Sequence, residues 1–197
     1  EDLGTVPEAI LQAMPDYGVY SYRVFFFVFE QDGRCLHPEN YPWHALVTAS
    51  THDLPTLASF WSGSDIDLRA SLDLYPDEAA ETGARDGRAY DRHRILSALG
   101  EQCLLPEGIT ADPASAPAMT PGLCAAIQTY LARSNAALLV VQPEDWLGMD
   151  DAINVPGTSD EHPNWRLKLT GDLVELCGRP DVAVLSERLT HERRRAR

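Results

Sequence analysis

Three short apolar runs, set far apart by helix-like stretches, restrict what this chain can fold into more than any other feature. Residues 22–29 (YRVFFFVF), 45–50 (ALVTAS) and 136–142 (AALLVVQ) are nearly continuous in apolar character and favour extended backbone. A strand with one wet face alternates polar and apolar residues. These runs do not, so they predict strands covered on both faces, as in a parallel sheet flanked by helices. Periodicity and start signals predict helices over residues 6–13, 56–61, 77–99, 121–133, 164–177 and 182–195. The clearest start is Thr120 before Pro121, a capping hydroxyl followed by a proline whose missing N–H is harmless at the first helical position. Residues 105–118 (LPEGITADPASAPA) hold prolines too close together for a helix and are expected as loop. The predicted fold class is α/β.

Strands joined by long helical connections fit the closing part of a (β/α)8 barrel of the TIM type, or a doubly wound open sheet. In the barrel, chemistry gathers at the carboxyl ends of the strands. Thr51, His52 and Asp53 directly follow the second run, and Pro143, Glu144 and Asp145 the third. No repeat or linker divides the chain, so residues 1–197 are expected to belong to one domain.

Composition removes several alternatives. A chain of 197 residues is long enough for a real core. A net charge of −14 sets a field that repels phosphate backbones and anionic lipid headgroups, which argues against nucleic acid or a membrane surface as partner. The one basic cluster, Arg188 with Arg193, Arg194, Arg195 and Arg197, reads as the last turn of a helix, where cations meet the carbonyl end of the dipole. Cys35, Cys103, Cys124 and Cys177 are scattered without paired spacing, which suggests neither a zinc ribbon nor a disulfide framework and fits a reducing cytoplasm. No run approaches the roughly 20 apolar residues of a membrane span, and no basic segment leads into an apolar signal core. The chain opens at Glu1 in a turn-like EDLG with no strand before it, as a fragment would.

Few segments can carry chemistry. Gly4 permits a sharp turn that would leave the Glu1 or Asp2 carboxyl at the mouth of a pocket, although acidic residues at a helix start produce the same pattern. Residues 51–56 (THDLPT) say more, because three polar residues end an apolar strand where packing has no use for them. His52 and Asp53, with His37 and His44, raise the idea of a metal site, yet no H-x-H, H-E-x-x-H or carboxylate at ligand spacing accompanies them. A serine nucleophile is disfavoured, since G-x-S-x-G is missing and Ser50 falls within the expected strand. Tyr41, Trp43, Trp146 and Trp165 stand in expected loops, where such rings either stack on a ligand or pack against helices. Residues 154–158 (NVPGT) form a rigid turn with one free amide, on Asn154. No organic cofactor is suggested.

Taken together, EDLGTVP at 1–7, YSYRV at 20–24, NYP at 40–42, THDLPT at 51–56, LYPDE at 74–78, SNAALL at 134–139, QPEDW at 142–146 and INVPGTSDEHPNWRLK at 153–168 resemble the amylomaltases, the 4-α-glucanotransferases also called disproportionating enzymes. The match runs in order along nearly the whole chain. It implies the C-terminal part of a single catalytic β/α barrel, α-1,4-glucans as substrates with glucose or a glucan as acceptor, and a retaining reaction using three acidic residues. Glu1 matches the general acid/base, and Asp53 the carboxylate that stabilises the distorted sugar in the −1 subsite. His52 matches a residue hydrogen-bonded to that sugar, while Phe27 and Asn154 match substrate-lining positions. The aspartate nucleophile belongs to an earlier strand, upstream of EDLG, and has no counterpart here. The chain alone is therefore expected to be inactive, all the more if a terminal ammonium beside Glu1 favours its ionised form and weakens the acid. A glucan hydrolase on the same barrel, or a non-catalytic glucan-binding remnant, are the alternatives.

Overall fold

Strand pairing follows the apolar runs, but each strand is shorter than its run. The computed structural model describes residues 2–195. Helix α1 (Glu8–Ala13) leads to β1 (Ser21–Val24), which pairs in parallel with β2 (Ala45–Thr48). Helices α2 (Leu57–Ser62), α3 (Ser64–Ser71), α4 (Glu78–Glu101) and α5 (Pro121–Ala132) follow. Strand β3 (Leu138–Leu139) then joins β2, again in parallel, giving the order β1-β2-β3. Helices α6 (Pro143–Leu147), α7 (Leu173–Gly178) and α8 (Pro180–Arg195) complete the chain. Parallel strands, with α2 to α5 crossing over from β2 to β3, make this an α/β fold.

The run at 22–29 stops being a strand at Val24 because three phenylalanines follow. Extended backbone would send Phe25 and Phe26 to opposite faces of the sheet. A 3-10 turn over Phe25–Phe27 instead lets both be buried and leaves Phe27 outside, 55% exposed. Phe25 meets Tyr130, with centroids 5.7 Å apart, and Phe26 lies flat on Phe60 at 4.0 Å. On Phe60 also rests the Arg88 guanidinium, 3.9 Å from the ring centre and doubly bonded to Asp65 at 2.6 and 2.8 Å.

Helix α5 carries the core stripe. Leu123, Ile127, Tyr130 and Leu131 are buried at helical spacing, with Leu96 and Leu99 of α4 and Trp61 of α2 in the same cluster. Thr120 caps α5 by accepting from Leu123 N at 3.1 Å, and Pro121 opens it, as the sequence predicts. Its carbonyl end is closed from afar. Arg193 of α8 donates to the carbonyls of Ala132, Ser134 and Ala136. Part of the basic cluster thus serves a neighbouring helix rather than its own; Arg197 lies outside the described residues.

Three expectations need correction. Residues 164–177 do not form one helix, because Trp165 adopts left-handed backbone (φ 62) and Asn164 turns back on its own loop; helix begins only at Leu173, capped by Asp172. Helices α3 and α6 lie where none was expected, although Pro143, Glu144 and Asp145 at the start of α6 are ordinary first-turn residues. Strand β3 is not covered on both faces. Among the described residues it pairs on one side only, and Leu138 and Val140 are exposed. Among the same residues, no helix is long and apolar enough to cross a membrane.

Candidate functional site

Both long strands end at one edge of the sheet, and the chain there is held by its own side chains. Beyond β2, Thr48 Oγ1 donates to Ser50 O at 3.0 Å, and Ser50 Oγ donates to Pro55 O at 2.6 Å, so Ser50 is buried as a brace. Thr51 Oγ1 accepts from Asp53 N at 3.2 Å, while Leu54 N donates to Thr51 O at 3.2 Å, closing a turn. His52 and Asp53 project from this turn with side chains 53% and 46% exposed, and their His52 Nε2 and Asp53 Oδ1 atoms are 3.4 Å apart.

The loop after α6 meets them. Asn154 Nδ2 donates to Asp53 Oδ1 at 2.7 Å. Asn164 holds that loop in shape, accepting from Val155 N at 2.9 Å and donating to Thr158 Oγ1 at 2.8 Å. Next to it, Trp165 presents its indole 5.0 Å from the His52 ring while 63% exposed. A carboxylate, an imidazole, an amide and an open aromatic face so converge on one spot. Such a set can bind a polyhydroxylated ring, by hydrogen bonds at its edge and by stacking on its face.

Of the residues singled out from sequence, His52, Asp53 and Asn154 are in direct contact. Phe27 stands at the same carboxyl edge, three residues past β1, but among the described contacts it does not join their cluster. Glu1 lies outside the described residues. Its neighbour Asp2 is structural: it accepts from Ser21 Oγ at 2.7 Å, Tyr22 N at 2.5 Å and Arg23 at 3.2 Å. Burial pushes its carboxyl up, yet these bonds and the Arg23 charge outweigh burial and hold it below the ordinary value. Gly4 takes the left-handed turn expected of it (φ 84).

His37 and His44 are occupied elsewhere, His37 with Gln102 and Glu39 N, His44 against the Tyr20 ring. Among the described residues no group of three His, Cys, Asp or Glu side chains could hold a metal. Sequence reasoning gave Trp165 no place beside His52, and it noted Asp145 only as a polar residue after the third run, with no role of its own. Asp145 is buried at the base of the site loop, where its Oδ1 accepts from Leu57 N at 2.7 Å. Burial pushes its carboxyl up to about 6. A polar residue directly after an apolar strand was the available signal.

Known proteins resemble this chain along most of its length. A family model described as 4-alpha-glucanotransferase matches residues 1–174. The 4-alpha-glucanotransferase of Haemophilus influenzae is 36% identical over 174 residues, covering 88% of this chain and 24% of that protein. That of Mycobacterium tuberculosis is 36% identical over 179 residues, covering 87% of this chain and 23% of its own. Amylomaltase from Corynebacterium glutamicum superposes with a TM-score of 0.79 at 23% identity, over 98% of this chain and 28% of that one. Amylomaltase from Streptococcus agalactiae in complex with acarbose gives 0.57 at 17% identity, over 98% and 31%. This chain therefore spans about a quarter of the length of the relatives it matches. Over that quarter it belongs to the 4-alpha-glucanotransferase family.

Proposed function

We propose that this chain forms the closing part of a β/α barrel that transfers α-1,4-glucan segments to the 4-hydroxyl of an acceptor glucose or glucan. One observation carries this reading: Asp53, His52 and Asn154 meet at the carboxyl edge of a parallel sheet, beside an exposed indole. In this reading residues 1–197 belong to a single catalytic domain in the cytoplasm, a compartment that suits the free thiols of Cys35, Cys103, Cys124 and Cys177.

The roles follow from the chemistry of retention. A carboxylate attacks the anomeric carbon while a second carboxyl protonates the departing oxygen; the same group then deprotonates the incoming hydroxyl. Glu1 is assigned that acid/base role. The nucleophile is assigned to the three quarters of the relatives' length that this chain does not span. Asp53 neither attacks nor transfers a proton. Its anion, oriented by Asn154, binds the sugar at the reacting centre and strengthens its hold as positive charge develops on the ring. His52 donates to a sugar hydroxyl, and Phe27 and Trp165 offer faces on which neighbouring rings rest.

The test is disproportionation of maltotriose. A full-length protein carrying this segment is expected to release glucose and build longer oligosaccharides without a net gain of reducing ends. A net gain would show hydrolysis instead. Release of glucose by the 197-residue chain alone would overturn the assignment of the nucleophile elsewhere.

A further inference from the structure

The loop that carries His52 and Asp53 is fixed at its far end by residues 88 and 93 positions away in the chain. Asp145, on α6, accepts through Oδ1 from Leu57 N, the first N–H of α2. Thr56 Oγ1, one residue earlier, donates to Met149 O at 2.6 Å, just past the end of α6. Five residues beyond Met149, Asn154 reaches Asp53 itself. The segment after β3 therefore grips the loop at its root and at its tip.

Asp145 is an unusual choice for the root. It is buried at 5% exposure, and its second oxygen, Oδ2, has no hydrogen-bond partner. The residue borders a cavity of about 480 Å³ between α5, α6 and α8, lined also by Cys124 and Trp146. A carboxyl with one oxygen unpaired in such a place is costly, and a leucine would fill the space with no such cost. What a leucine lacks is an acceptor for Leu57 N. That single bond is the visible use of the residue.

We propose, resting on the glucanotransferase reading above, that Asp145, assisted by Thr56, is a positioning residue that sets where the Asp53 carboxylate stands against the reacting sugar. With residues 56 and 57 pinned, and with Ser50 and Thr51 bracing the turn, the backbone that carries Asp53 is tied on both sides. A misplacement of about 1 Å at a reacting centre can cost about 100-fold in rate.

The experiment uses the full-length protein carrying Asp145→Ala, Asp145→Asn or Thr56→Val. Two quantities are read: kcat against KM for maltotriose transfer, and NMR of the Leu57 backbone amide and the Asn154 side-chain amide. Asp145→Ala is expected to lower kcat about 10- to 100-fold with KM within about threefold. It should also speed exchange of the Leu57 amide and shift the Asn154 signals. Asp145→Asn, which keeps an acceptor oxygen, should restore kcat to within about threefold of the parent. A folded Asp145→Ala protein with lowered Tm but unchanged kcat and unchanged Asn154 signals overturns the proposal. If Asp145→Ala does not fold, Thr56→Val, which cuts the second tie, is held to the same criteria. An inactive parent whose Asn154 signals still respond to Asp145 would sink the transferase reading and leave the positioning role standing.

Discussion

Asn154 and Asp53, 101 positions apart in the chain, are joined by one hydrogen bond of 2.7 Å from the amide Nδ2 to carboxylate Oδ1. The bond ties a loop beyond β3 to the turn after β2, so side chains from beyond two strand ends meet in one cluster. His52 Nε2 lies 3.4 Å from the same oxygen, and the Trp165 indole rests near the His52 ring.

Removing that bond should be felt in turnover. Hydrogen bonds to charged groups contribute about 1.5–3 kcal/mol, so Asn154→Ala in the full-length protein is expected to lower kcat/KM for maltotriose about 10- to 100-fold. Stability should change little, because Asp53 stays exposed to water. Steady-state kinetics beside a thermal melt separate the two.

Burial of Asp145 makes stability depend on pH. Its folded value of about 6 lies above the ordinary 3.8, so the fold favours the protonated form. That contribution is complete below 3.8 and lost as pH rises through about 6. The gap corresponds to roughly 3 kcal/mol. Asp145→Asn, which cannot ionise, should therefore gain on the parent between pH 4 and 7 by up to about that amount. Urea unfolding at several pH values checks it.

Asp2 carries the opposite sign. Its folded carboxyl is held below the ordinary value, so its contribution is present above 3.8 and lost as pH falls through the folded value. Asp2→Asn is expected to cost about 1–3 kcal/mol at neutral pH, from the weakened acceptors for Ser21 and Arg23. The difference should shrink in acid, as paired melts at pH 7 and pH 3 would reveal.

Phe26 and Phe27 are neighbours with unlike duties. Phe26→Ala removes the ring stacked on Phe60 and is expected to cost about 3–5 kcal/mol. Phe27→Ala takes away an exposed ring and should stay within about 0.5 kcal/mol. Its effect is expected in KM for maltotriose instead. Denaturant midpoints and kinetics of the two variants make the contrast.

Much of this was legible in the residues. The apolar runs gave parallel strands at the right places, and Thr120 with Pro121 marked the start of α5. THDLPT pointed to a polar strand end, and the structure sets His52 and Asp53 there. Strand lengths were not legible, because composition cannot show that a 3-10 turn buries both Phe25 and Phe26 where a strand would part them. Nor could periodicity foresee the break at 164–172, which depends on Asn164 bonding back to residues 155 and 158. Asp145 looked like one more polar residue after a strand; only its distance from Leu57 N shows what it holds.

Trp165 sits at φ 62, a region that burdens any side-chain-bearing residue by about 1–2 kcal/mol and spares glycine. Engineering for hardiness alone would choose glycine there and would strip the indole from beside His52. On the glucan-transfer reading proposed above, ruggedness and turnover are set against each other at this position, and a heat-resistant variant selected without assaying sugar transfer would drift toward a sturdier, slower protein.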